Sequence, residues 1–248
     1  MVQKIKAGAV SYLNTKPLIY GFEQGSMKDE VELLIDNPAN IAKLLLNNEI
    51  DLGLVPVAII PLLKEYHIIA DYGIGCDGDV ASVCLFSDVP FADIKTILLD
   101  YQSRTSVALL KVLLKEHWKI SPELVAGDTG FENKIGGTVA GLVIGDRALL
   151  QRGRHKYIYD LGLAWKELTG LPFVFAAWVS NKVLPQSFCD AFNEATGTGL
   201  NHIEEIVAKN PFAAFDLADY YNNCIKFRLD VRMHEALTLF LTKLNSTI

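Results

Sequence analysis

The segment TILLDYQSRTSVALLKVLL, residues 96–114, carries two periodicities side by side. Ile97, Leu98 and Leu99 form a short apolar run ending at Asp100, the pattern of a buried strand, while Val107, Leu110, Leu113 and Leu114 recur at helical spacing. Ser103-Arg104-Thr105-Ser106 lies at the junction. A helix start presents free backbone N–H groups and the positive end of the peptide dipoles. Two serines, a threonine and an arginine around such a start make a seat for an anion. The same residues also suit an ordinary cap, with Ser103 accepting a helix N–H and Arg104 in solvent.

A second junction of this kind lies near the amino terminus. Residues 5–10 read as a strand, and Ser11-Tyr12-Leu13-Asn14-Thr15-Lys16-Pro17-Leu18 follows, with Pro17 suited to a first helical turn. Asn14 and Thr15 serve there either as caps or as ligand contacts. A strand at 31–35 precedes a helix opened by Asn37-Pro38, with Ile41, Leu44 and Leu45 on one face; a strand at 51–57 contains Gly53 and Pro56. Set against residues 97–146, this order of strand, polar helix start, helix and Gly-Leu-Val strand occurs twice. The repetition predicts two α/β lobes of related topology, each contributing a helix start and a strand end to one cleft.

Strand signals at 68–70 and 80–86, the latter interrupted by Ser82, lead out of the first lobe. The second lobe ends with a strand at 157–160, a helix at 161–168 and the run 173–179 that crosses back. Helical stretches at 185–210, 212–223 and 231–244 complete the first lobe. Boundaries near Ser87 and Val179 give a discontinuous lobe, 1–87 with 179–248, and an inserted lobe, 88–178. Such a hinge suits closure on a small ligand.

Composition narrows the partners. Half of the 248 residues are apolar and the formal net charge is -6, so nucleic acid is a poor match and an anionic ligand must be held locally. The first ten residues have too short an apolar run for a signal sequence, and no stretch approaches the ~20 apolar residues that span a bilayer. The expectation is a soluble cytoplasmic protein without a membrane partner. Cys76, Cys84, Cys189 and Cys224, like the five histidines, are too scattered for a metal site or a redox pair, and no metal is expected.

Five ordered runs carry a resemblance: residues 11–18, Asp51-Leu52-Gly53-Leu54-Val55-Pro56-Val57, Ser103-Arg104-Thr105-Ser106, Ile144-Gly145-Asp146, and Thr169-Gly170-Leu171-Pro172-Phe173-Val174-Phe175-Ala176. With these the chain resembles the chorismate dehydratase family of the futalosine route to menaquinone. The resemblance implies a two-lobed type II periplasmic-binding-protein-like fold used as a cytoplasmic enzyme. It also implies a carbon-oxygen lyase reaction that takes water from chorismate to give 3-[(1-carboxyvinyl)oxy]benzoate, and it implies no cofactor.

Losing the ring hydroxyl with a neighbouring ring proton makes an aromatic ring, so the protein's task is orientation and placement of charge. Asn14 and Ser82 are the candidate catalytic residues. Tyr12, Thr15, Ser103, Arg104, Thr105, Ser106, Gly145 and Asp146 are the candidate substrate contacts, Arg104 being expected to hold a carboxylate. Asp100 and Asp146 are the available bases, yet each also fits a structural post at a strand end; a carboxylate of the substrate is the remaining acceptor. Phe173, Phe175 and Trp178 fit a core strand better than a stacking platform. Two rivals stay open: a carboxylate-binding or sensing protein of the same fold, and the sister dihydroxynaphthoate synthase. Oligomeric state is not readable from the chain.

Overall fold

The computed structural model describes residues 4–245. Its first strand, β1 (Ile5–Val10), sits between β2 (Val31–Asp36) and β3 (Leu52–Pro56), parallel to both. The connections are α1 (Lys16–Glu23) and α2 (Pro38–Leu46). Parallel pairing needs such crossovers, and the helices cover the sheet, which is why β3 is buried along its length. In register, Gly8 pairs with Gly53. A Cβ on Gly8 would lie 2.8 Å from Ile41 Cγ2, so the pair lets α2 approach the strands closely. Asn37 caps α2, its side chain accepting the Asn40 N–H at 3.0 Å.

The chain then makes β4 (His67–Cys76) and leaves this sheet through residues 77–82. A second sheet follows, with β5 (Val83–Ser87), β6 (Thr96–Leu99), α3 (Thr105–Leu113), β7 (Glu123–Ala126), β8 (Val139–Ile144), α4 (Gly145–Gln151) and β9 (Tyr157–Asp160). α5 (Leu161–Thr169) and residues 170–172 return the chain to β10 (Phe173–Ser180), the antiparallel strand between β3 and β4. With the edge strand β11 (Lys226–Arg228) included, the strand orders are β11-β4-β10-β3-β1-β2 and β7-β6-β8-β5-β9. In each sheet a parallel trio, β2-β1-β3 or β7-β6-β8, is continued by an antiparallel strand contributed from across the junction. The repetition in the sequence is therefore a repetition of topology.

Two strands lie on the other side of the expected boundaries. β5, assigned to the first lobe by a boundary near Ser87, is hydrogen-bonded to β8 and β9 in the second sheet. β10, expected as the crossing, pairs with the first sheet from Phe173 onward. Both strands are fully buried, and a continuous apolar run looks the same in either sheet.

The carboxyl-terminal part is less regular than a run of helices. α6 (Gln186–Gly197) and α7 (Ile203–Lys209) are separated by a 3-10 turn, and α8 (Leu217–Asp219) runs into a π turn, Tyr220–Cys224. The short edge strand β11 (Lys226–Arg228) then pairs with β4, an element the helical reading of this region missed because three residues show no periodicity. α9 (Val231–Asn245) does not serve the first lobe alone. Phe240 lies 4.9 Å from Phe173 and 6.0 Å from Trp165 of α5, and Lys243 pairs with Glu116 at 2.5 Å.

Candidate active site

Strand ends from both sheets meet at one cleft. Val10 ends β1, Pro56 ends β3, Ile144 ends β8, and the turn after β6 brings Gln102 and Ser103. Ligand crevices of open α/β sheets lie at such carboxyl ends. The cleft holds about 540 Å³ of unfilled space including its open mouth. Seven of the ten sequence candidates line it: Tyr12, Asn14, Ser82, Ser103, Thr105, Ser106 and Gly145. None of the described residues lining it is Asp, Glu, Lys, Arg or His.

The other three candidates lie elsewhere. Arg104 is exposed and borders an outer groove with Pro61, Leu62 and Lys111, because the first turn of α3 points its side chain away from the sheet junction. The side chain expected to hold a carboxylate thus lies outside the cleft lining. Thr15 is fully buried behind the cleft, and its hydroxyl donates to Asn14 Oδ1 at 3.5 Å. Asp146 accepts the Leu13 N–H at 3.0 Å, tying α4 to the turn that carries Tyr12 and Asn14. Burial raises the Asp146 carboxyl above its ordinary range, against the pull of that N–H and of Arg147 and Lys16.

Local structure fixes each side chain. Ser103 Oγ accepts the Ser106 N–H at 3.0 Å, so the capping reading holds while Ser103 still faces the cleft. Thr105 Oγ1 accepts the Ala58 N–H at 3.2 Å across the junction, which leaves the hydroxyl proton of Thr105 to be donated elsewhere. Gly145 has φ +63°, and a Cβ there would stand 3.0 Å from the Tyr12 ring. Only glycine gives Tyr12 this seat, and the Tyr12 hydroxyl donates to Gln102 Oε1 from it.

Ser82 follows a strained turn. Ala81 has φ +62°, and Ser82 N–H donates to Val80 C=O at 2.7 Å, the less favourable form of γ-turn. Asp160 holds this turn, its carboxylate accepting Ala81 N–H at 2.8 Å and Val80 N–H at 3.1 Å while capping α5. Strain of this kind persists where surrounding bonds over-determine it. Gly145 N–H in turn donates to Ser82 C=O at 2.8 Å.

Behind the cleft, Arg147 makes two 2.8 Å contacts to Asp100 and one of 2.5 Å to Glu132. Burial acts to lower the Arg147 pKa, but the Asp100 charge and these hydrogen bonds outweigh it and raise it, keeping the guanidinium protonated. Asp100 also accepts N–H groups from Gln102 and Ile144. It is the structural post rather than a free base.

Three contributors escaped the sequence reading. Tyr220 is fully buried and its hydroxyl donates to Ser82 Oγ at 2.7 Å. Gln102 lines the cleft. Phe175 lines it too, whereas Phe173 and Trp178 are core as expected. The register shift between Val174 and Ala176 makes Phe175 the extra residue of a β-bulge, and bulges re-aim side chains.

Comparison with known proteins agrees with this architecture. The chain is similar to an Archaeoglobus fulgidus protein of known crystal structure, with TM-score 0.72, 16% identity, and coverage of 98% of this chain and 97% of that one. It is likewise similar to the periplasmic aliphatic sulphonate binding protein of Escherichia coli, with TM-score 0.64, 13% identity, and coverage of 100% and 88%. A Candida albicans protein described as having the generic periplasmic binding protein fold matches with TM-score 0.62, 12% identity, and coverage of 99% and 90%. These likenesses show the fold, a two-lobed periplasmic-binding-protein-like one. In sequence, the chain is 31% identical over 191 residues to a chorismate dehydratase of Thermus thermophilus, 68% of this chain and 69% of that protein. A family profile described as menaquinone biosynthesis matches residues 5–246. With nearly its whole length matched, the chain belongs to the menaquinone biosynthesis family.

Proposed function

We propose that this protein is a chorismate dehydratase, a carbon-oxygen lyase that eliminates water from chorismate to give 3-[(1-carboxyvinyl)oxy]benzoate. The observation that carries the reading is a cleft walled by neutral hydrogen-bonding groups, in a member of this family, with no ionisable acid, base or cation among its described lining residues except the tyrosine hydroxyl of Tyr12. Such a wall suits a reaction driven by aromatisation. The substrate brings its own charges, and the protein needs to orient them.

In this reading the start of α3, with Ser103, Thr105 and Ser106, holds one carboxylate through hydroxyls and the positive end of the helix. Asn14 and Ser82 face the departing ring hydroxyl and donate to its oxygen as the C–O bond breaks. Asp100 is neutralised by Arg147 and Asp146 accepts a backbone N–H, so neither is placed as a base. The ring proton goes to the enolpyruvyl carboxylate of the substrate. That proton and the departing hydroxide together make the water released. Phe175 lies against the ring.

The lobes, 4–76 with 173–245 and 83–169, hinge about residues 77–82 and 170–172 to admit the substrate. A cytoplasmic location belongs to the same proposal; among the described residues no helix is long and apolar enough to cross a membrane. The test is incubation of purified protein with chorismate while the ultraviolet spectrum and product mass are followed. An aromatic product lighter by one water supports the reading. Tight binding without turnover sinks it in favour of a carboxylate-binding protein.

A further inference from the structure

We propose that Tyr220 is a positioning residue for this reaction, its hydroxyl fixing the direction in which Ser82 donates into the cleft. The inference rests on the function proposed above and adds a residue that does not itself line the cleft.

Tyr220 stands behind Ser82, a residue of the cleft wall. The Tyr220 hydroxyl donates to Ser82 Oγ at 2.7 Å. The Ser82 hydroxyl therefore accepts from Tyr220 and keeps its own proton to donate, and Ser82 lines the cleft.

The phenol is suited to the task because it cannot change role. Burial pushes the Tyr220 hydroxyl far above its ordinary range, so it stays protonated and remains a donor at every working pH. Its ring is held by Tyr221, 5.6 Å away, and Phe215, 6.1 Å away. It also sits at the start of a π turn, an arrangement frequent at functional sites. Without the phenol hydroxyl, the Ser82 hydroxyl loses the donor that fixes its rotation.

The test is a double-mutant cycle on chorismate turnover with Tyr220→Phe and Ser82→Ala, folding being checked by melting curves. Tyr220→Phe should lower kcat by about 10-fold or more with KM changed less than about 3-fold, since a group oriented for the transition state is lost and not uniform binding. The double variant should be no slower than Ser82→Ala alone, because Tyr220 acts only through Ser82. Wild-type kcat in Tyr220→Phe, or losses that multiply in the double variant, overturns the inference. Should Tyr220→Phe fail to fold, 3-fluorotyrosine at position 220 keeps the ring and gives a stronger donor; kcat should move without KM, and an unmoved kcat overturns the inference. Absence of turnover in the wild type removes the proposed function and this inference together. Turnover in the wild type with an indifferent Tyr220→Phe removes the inference alone.

Discussion

At the scale of single residues, Arg104 separates what a sequence can suggest from what a fold decides. An arginine at a helix start beside two serines reads as a carboxylate clamp, yet rotation of one position around α3 sends it to the outer groove. Charge acting from there is screened by solvent. Arg104→Ala should therefore leave kcat/KM for chorismate within about twofold of wild type, the scale of an exposed charge. A loss of 100-fold in steady-state assays would put the guanidinium back on the substrate. Asn14, Ser82, Ser103, Thr105, Ser106 and Gly145 were legible because helix starts and strand ends mark themselves with polar residues and glycine. Tyr220 and Phe175 were not. One depends on a contact 138 residues away in the chain and the other on a bulge, and neither leaves a local pattern.

At the scale of elements, a charge cluster ties the second sheet together at its cleft end, beside the apolar packing of Leu98, Phe131, Val143 and Ala148. Arg147 on α4 joins Asp100 after β6 and Glu132 of the 3-10 turn 131–134, with the side chains of both carboxylates nearly out of solvent. Removing the cation leaves two buried negative charges facing each other. Arg147→Met should cost about 3–5 kcal/mol of unfolding free energy, read from urea midpoints at neutral pH. Adding Asp100→Asn should recover part of that loss, because one uncompensated charge is gone. Equal stability of Arg147→Met and wild type would show the cluster to be dispensable. Most strand and helix positions up to β10 followed from the periodicity; α4 and the second half of β4 did not, and neither did the pairing of β5 and β10. Exchange of antiparallel strands between sheets is a property of the whole chain path, invisible to a window of ten residues.

At the scale of the whole molecule, three hydrogen bonds among the described residues latch the two lobes at the cleft: Tyr12 to Gln102, Leu13 to Asp146 and Ala58 to Thr105. Only the middle one involves a titratable acceptor. Burial raises the Asp146 pKa in the folded protein, while the unfolded chain returns it to about 3.8. Between those two values the folded state binds more protons than the unfolded state, so this group's contribution to stability is fully present below about 3.8 and is lost as pH rises through the folded value. Asp146→Asn keeps an oxygen for Leu13 N–H and removes the buried charge. Its stability relative to wild type should therefore rise from acid toward neutral pH and then level off. Urea unfolding of both proteins across pH 4–8 measures this difference. A gap that is flat, or that narrows with rising pH, would mean that the Leu13 N–H stabilises the carboxylate more than burial destabilises it. The same hydrogen bond anchors the turn between Tyr12 and Asn14, so the pH dependence of stability and the placement of two cleft residues are expressions of one contact.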